Sequence, residues 1–269
     1  FLFVGVFDTN RKSTNTSQLL AFKSLGHDVV GYNYRSKAMQ VGHTQRDKHL
    51  IDTIESRDFD LVVFSKCNVV DYEVFRRATA KTKTCLWFMD ALCNYDKEML
   101  QKSSLVSYVC CDKKNVLRES LKVNEKSFYV CEGFDQEVDN PHDVEEKYDV
   151  SFIGSIYGDR QQYIENSSYD IKTFNNVYGI EHAKVVGQSK INLNFCTSDS
   201  ASDRVYKILA AGGFLLTNDW PERKENFIDQ QHCVVFDGPE DLDNKIRFYL
   251  NNPEIRKQIS INGLNMIQA

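Results

Sequence analysis

The stretch SDSASDRVYKILAAGGFLLTND, Ser198 to Asp219, changes pattern three times, and each change has a physical reading. A Ser/Asp-rich polar loop runs into a helical repeat over Asp203–Ala211, with Ser202 or Asp203 as the expected N-cap. The helix is expected to stop at the Gly212–Gly213 pair, and GFLLTN, Gly213–Asn218, follows as a strand. Helix then strand is one repeat of a parallel α/β layer, and the same alternation extends in both directions.

Upstream lie strand Asp149–Ser155, a helix near Arg160–Ile164, strand Asp170–Phe174, helix Glu181–Gln188 and strand Ile191–Phe195. Downstream are strand His232–Asp237 and two closing helices, Pro239–Leu250 and Pro253–Ile267. The first half reads as strands Phe1–Asp8, Asp28–Tyr34, Asp60–Lys66, Thr84–Asp90, Leu105–Cys111 and Ser127–Gly133. Helices are expected between them over Ser17–Leu25, Asp47–Ser56, Tyr72–Thr79, Lys97–Gln101 and Lys114–Leu121. Between the halves, FDQEVDNPHDVEEKY is acidic, carries one of four prolines and has no sustained period, which is the pattern of a linker. The expected organisation is an N-terminal domain 1–133, a linker 134–148 and a C-terminal domain 149–269. Both domains are α/β, Rossmann-like and doubly wound, and they are expected to face a cleft lined by the carboxyl ends of their strands.

The chain of 269 residues is long enough for two such domains. Its 42% hydrophobic content excludes a disordered or fibrous protein. No apolar run approaches the roughly 20 residues of a membrane span. The opening FLFVGVFD reads as a strand rather than a signal peptide, and the missing initiator Met leads us to expect that part of the start is not included. The eight cysteines sit mostly in apolar runs without metal-site spacing, so free thiols in a reducing, cytoplasmic setting are expected. No HExxH, P-loop or GxSxG pattern occurs. The formal charge of −5 weighs against a duplex-binding protein. Arg76–Arg77 with Lys81 and Lys83, and Lys113–Lys114 with Arg118, are local basic clusters whose plainer reading is solvated helix faces. No heptad seam gives an oligomeric state.

The first turn of the helix at Asp203 offers free N–H groups and the positive end of a dipole, which suits a diphosphate, and Arg204 lies in that turn. An ordinary capped helix with a solvated Arg204 is the alternative. In the first half, Asp90 ends the apolar run KTCLWFM where a cleft residue belongs, either as a base for an acceptor hydroxyl or as a cap of the next turn. Asp8 holds the matching place on the first strand, ahead of a polar loop with Asn10, Ser13, Thr14 and Asn15 that would hydrogen-bond an acceptor or simply connect elements. Lys66 is a third strand-end group, suited to an anionic acceptor or solvated. His43, in the glycine-containing loop AMQVGHTQR, is the rival base, or a solvated loop histidine.

Four blocks in order, YDVSFIGSIYGDRQQYI, YGIEHAKVVGQSKINLNF, DRVYKILAAGGFLLTND and VVFDGPEDLDNKIRFYLNNPEIRKQISINGLNMI, resemble the C-terminal half of CgeB-like glycosyltransferases of the GT-B superfamily. The resemblance spans about residues 128–267, with EGFDQEV similar to the family's interdomain approach. It implies a GT-B fold whose C-terminal domain holds a nucleoside diphosphate sugar, UDP-linked by expectation, as co-substrate, with no further cofactor and no metal. The N-terminal domain would then hold the acceptor at Asp8, Asn15 and Lys66. A glycan or small molecule is the expected acceptor, and a hydroxymethylated DNA base is its rival. Carried over, Gly154 and Ser155 form a glycine turn near the donor phosphates, Arg160 is a nearby basic group, and Asn194 faces the cleft. Arg204 contacts the diphosphate, with Asp203 and Lys207 of the same helix among the donor-side residues. One departure stands out: where the family's helix reads R-x-[FY]-E, with the Glu expected on the donor ribose, this chain has Lys207, which donates but cannot accept as a carboxylate does. The stretch Glu165–Val177 is also shorter than in relatives. The alternative function is a non-catalytic nucleotide-sugar or glycan-binding module on the same fold.

Overall fold

The computed structural model describes residues 1–9, 11–196 and 201–269, which divide into two compact units, Phe1–Cys131 and Glu132–Ala269. The first unit is a six-stranded, wholly parallel sheet of β1 (Leu2–Gly5), β2 (Val30–Asn33), β3 (Leu61–Ser65), β4 (Lys83–Phe88), β5 (Tyr108–Cys111) and β6 (Ser127–Tyr129), in the order β2-β1-β3-β4-β5-β6. Parallel strands must be joined by crossovers and are covered on both faces, which explains runs such as LFVG that are buried at every position. The covering helices include α1 (Thr14–Ser24), α2 (Tyr34–Val41), α3 (His43–Glu55), α4 (Tyr72–Lys81), α5 (Lys97–Leu105) and α6 (Lys114–Ser120). The sequence does not announce α2. Asn33, read as strand, accepts the Ser36 N–H at 3.0 Å and turns the chain into a helix, and Gly42, at φ 81°, separates it from α3. His43 is therefore the exposed first residue of a helix rather than part of a long loop.

The second unit has β7 (Tyr148–Ile153), β8 (Ile171–Phe174), β9 (Ser189–Asn194), β10 (Leu215–Asn218) and β11 (Val234–Phe236), again all parallel, in the order β11-β10-β9-β7-β8. Its helices are α7 (Asp159–Asn166), α8 (Gly179–Gly187), α9 (Asp203–Ala210), the short α10 (Arg223–Asn226), α11 (Gly238–Asn251) and α12 (Pro253–Gln268). The glycine pair ends α9 as its sequence requires. Gly212 takes φ 75°, and the Gly213 N–H reaches back to the Ile208 carbonyl at 2.9 Å. The cap at the other end differs from expectation: Ser202 is the N-cap residue, but its hydroxyl makes no capping bond and turns to Asn194 instead.

The two sheets share a topology. In each, the first strand of the unit lies between the second and the third, so the winding reverses direction there, at β1/β3 and at β7/β9. Ligands of open α/β sheets bind at this switch point, beyond the carboxyl ends of the strands. The residues that follow these strands are Val6–Ser13, Lys66–Asp71, Gly154–Gly158 and the segment after Asn194. Among the described residues no helix is long and apolar enough to cross a membrane.

Candidate functional site

In the second unit the switch point is occupied by two arginines. Arg204, in the first turn of α9, reaches back across the end of β7: its Nε donates to the Ile153 carbonyl at 2.6 Å and its Nη1 to Asn194 Oδ1 at 2.9 Å. Its Nη2 has no hydrogen-bond partner among the described residues and lies over Gly154, where a Cβ would come within 2.6 Å of it. Gly154 also has φ 149°, so both the backbone and the space over it exclude a side chain. Arg160, on α7, is buried, with Nη1 on the Ser155 carbonyl at 3.0 Å and Nη2 on the Phe195 carbonyl at 3.2 Å. Its Nε is sealed without a partner. Both guanidinium groups lie against the Phe152 ring, at 5.8 and 5.1 Å, and Arg160 also stacks on Tyr157 at 4.3 Å.

Neither arginine pairs with a carboxylate among the described residues. Burial first, then the charge of Arg160, hold the Arg204 guanidinium below its ordinary value. Two half-compensated cations beside a bare glycine form a place where an anion would be held strongly. Gly154, Ser155, Arg160, Asn194 and Arg204 are thus brought together, but Asn194 is corrected in its role. It is fully buried, its Oδ1 is taken by Arg204 and Ser202, and its amide donates to Thr217 Oγ1 at 3.0 Å and to Cys196 Sγ. Asn194 therefore holds Arg204 and is not itself open to a ligand. Positions 198–200 of the polar loop lie outside the described residues.

Asp203 and Lys207 pair across one helical turn at 2.6 Å. Burial disfavours both charges, yet each holds the other, so the Asp203 carboxyl stays below and the Lys207 ammonium above its ordinary value. Beside them, on α8, is a group that sequence reading passed over. His182 is buried with Nδ1 unpartnered, and burial, with the Lys207 and Arg204 cations, lowers its pKa to about 4. The folded state keeps this imidazole neutral, whereas the unfolded chain takes up a proton below about 6.5. Stability is therefore lost as pH falls from about 6.5 to about 4, by an amount on the order of 3 kcal/mol. Urea denaturation of the protein and of His182→Gln at pH 7 and pH 4 should show this loss in the former and not in the latter.

In the first unit, two expected acceptor residues are committed to bonds within the protein. Asn15 is buried, accepts the Val6 N–H at 2.9 Å and donates to Ser65 Oγ at 2.8 Å, so it braces the end of β1 against β3. Asp8 accepts the N–H groups of Lys12 at 3.0 Å and Ser13 at 2.6 Å, clamping its own loop, as short acidic side chains do beside free backbone donors. Asn10 lies outside the described residues. Lys66 and Asp90 stay together and partly exposed, as an ion pair between the ends of the adjacent strands β3 and β4. Burial works against the Asp90 charge, but Lys66, the Asn94 side chain and the Ala91 N–H outweigh it and hold the carboxyl below its usual range. Such a group is a fixed acceptor of hydrogen bonds and a weak base at neutral pH. Lys66 and Cys67 are consecutive left-handed residues, at φ 58° and 51°, each costing roughly 1–2 kcal/mol against the right-handed form.

Of the basic clusters, Arg76 pairs with Glu73, Arg77 with Glu55, Lys81 with Asp58 at 3.7 Å and Lys113 with the buried Asp112 at 2.6 Å. Among the described residues no group of His, Cys, Asp and Glu has the arrangement of a metal site.

The sequence matches no curated protein. Its fold is similar to that of HepE from Anabaena, solved in complex with UDP-glucose, at 10% identity and TM-score 0.67, covering 99% of this chain and 94% of that one. It is likewise similar to sucrose-phosphate synthase from Thermosynechococcus elongatus, at 10% identity and TM-score 0.67, with 99% and 93% covered. An alpha-glucosyltransferase solved with UDP-glucose and DNA containing an abasic site gives 9% identity and TM-score 0.67, with 99% and 94% covered. Residues 142–269 match the family described as glycosyl transferase-like. The chain has the GT-B fold, and its second unit matches the glycosyl transferase-like family from residue 142 onward.

Proposed function

We propose that the chain is a glycosyltransferase of CgeB-like kind that moves a sugar, hexose or pentose, from a UDP-linked donor to an acceptor hydroxyl. The observation that carries this reading is Arg204 Nη2, without a hydrogen-bond partner among the described residues, over Gly154 and beside the buried Arg160, at the switch point of the second sheet. A donor diphosphate placed there meets the guanidinium and the first turn of α9, and both favour the negative charge that grows on the leaving group. The UDP-glucose complexes of two similar folds support the choice of nucleotide. At residue 207 the family's carboxylate is missing, and Asp203, fixed by Lys207, supplies one from the preceding turn to accept donor hydroxyls. On the acceptor side, Asp90 receives the attacking hydroxyl as a hydrogen bond and Lys66 keeps it ionised. A glycan is favoured over DNA because Arg76, Arg77, Lys81 and Lys113 of the basic clusters pair with carboxylates.

The test is a thermal-shift series with UDP, GDP, ADP, CDP and their common sugars, followed by assay of nucleotide release. A bound donor at a hundredfold excess over its Kd should stabilise by about 2.7 kcal/mol. Stabilisation by UDP and its sugars, with slow release of UDP, is the expected result. Stabilisation with no release in the presence of glycan acceptors would favour a binding module, and indifference to every nucleotide would sink the donor site.

A further inference from the structure

The first unit contains two buried cations that the reaction as described does not use. Lys102, on α5, is 1% exposed, and its ammonium pairs with no carboxylate among the described residues; Glu98, Asp96 and Asp71 act on it only at longer range. It donates to the carbonyls of Cys67, at 3.4 Å, and Asn68, and lies over the rings of Tyr72 and Phe75, at 5.3 and 5.6 Å. Arg46, on α3, is fully buried; its Nη2 donates to the Val69 carbonyl at 2.6 Å and its Nε to Asp47 at 2.7 Å. Three successive carbonyls, those of residues 67, 68 and 69, are therefore gripped from two different helices.

Burying an ammonium in an apolar core is costly, and a methionine of similar size would fill the Lys102 site without that penalty. What the cation achieves is specific to the turn it holds. That turn begins with Lys66 and Cys67, both left-handed, and is pinned on its inner side by Cys67, whose Sγ contacts the Val4 carbonyl at 3.5 Å. Lys66 in turn bonds the Trp87 carbonyl through its own N–H at 2.9 Å, which ties the turn to the strand that ends at Asp90. The direction of the Lys66 side chain follows from this backbone.

We propose that Lys102 and Arg46 are positioning residues, a two-helix clamp on the carbonyls of the turn after β3 that fixes its left-handed form and so delivers Lys66 to Asp90. The functional part of this inference rests on the reading of Lys66–Asp90 as the acceptor-side pair, while the clamp itself is a statement about geometry.

Lys102→Met separates the two. Its fold should survive, because a methionine replaces a buried charge at similar volume. The Asp90 carboxyl, followed by carbon-detected NMR titration, should rise toward the ordinary carboxylate range as Lys66 leaves it, with Lys66→Met giving the end point and Lys102→Arg restoring the original titration. Transfer should fall by up to about a hundredfold in kcat with the donor KM unchanged, and this fall should vanish in an Asp90→Asn background. If Lys102→Met does not fold, Arg46→Met carries the same test at the Val69 carbonyl. An Asp90 titration identical in the clamp variants and the parent overturns the proposal, whatever the activity. A shifted titration in a protein that shows no transfer upholds the clamp and removes the transferase reading.

Discussion

Replacing Arg204 by methionine is expected to lower kcat/KM for the nucleotide-sugar donor by roughly a hundred- to a thousandfold, the scale seen when one charge-stabilising donor is removed from a reacting centre. The reason is the division of labour within one guanidinium. Nε and Nη1 are fixed on the Ile153 carbonyl and Asn194, and Nη2 is left over the glycine for the ligand. Lysine cannot reproduce three donors in a plane, so Arg204→Lys should recover little of the loss. Steady-state kinetics with varied donor, alongside circular dichroism to establish folding, is the measurement. A fall of less than about tenfold would remove Arg204 from the donor site.

Gly154→Ala should damage the same site from the opposite side. The residue sits at φ 149°, and the new methyl would press within 2.6 Å of Arg204 Nη2 and 3.3 Å of the Phe152 ring. Backbone strain of this kind costs roughly 1–3 kcal/mol, and displacing the guanidinium should weaken nucleotide binding as well. The clash and the strain can be told apart by combining Gly154→Ala with Arg204→Ala. With the guanidinium gone only the backbone cost remains, so the urea midpoint should drop less in that background. An equal drop with and without Arg204 would show that the side-chain contact is not the cause.

Both mutations act at places the sequence itself marks. The apolar run ending in Gly154 and the polar loop feeding Arg204 are local patterns, and the fold follows from the alternation of such patterns with helices. Strand order is less local, but an unbroken series of crossovers permits few arrangements. The burial of individual polar groups was not legible. Asn15, Asp8 and Asn194 have the composition of ligand contacts, yet Asp8 closes its own loop, and Asn15 and Asn194 also bond Ser65 and Thr217 on adjacent strands, which spacing along the chain does not reveal. Lys102 lies just past the expected end of its helix, and Arg46 lies in a stretch expected to be a loop. Nothing in their immediate context sets them apart from the other basic residues on helices. Their meaning comes from three carbonyls more than twenty positions away in sequence.

The parallel sheets carry a consequence for how the chain reaches this structure. Neither contains a hairpin, and even the shortest pairings, such as Val109 with Ser127 and Leu216 with Val234, enclose a whole crossover. No strand can zip onto its sequence neighbour, so helices must form and pack before the sheet exists, and the interior strand β1 of the first unit waits longest, until residues 61–65 have emerged to flank it. The rate of folding is then governed by closure of long loops, and the apolar edges exposed meanwhile are the segments that a chaperone would find.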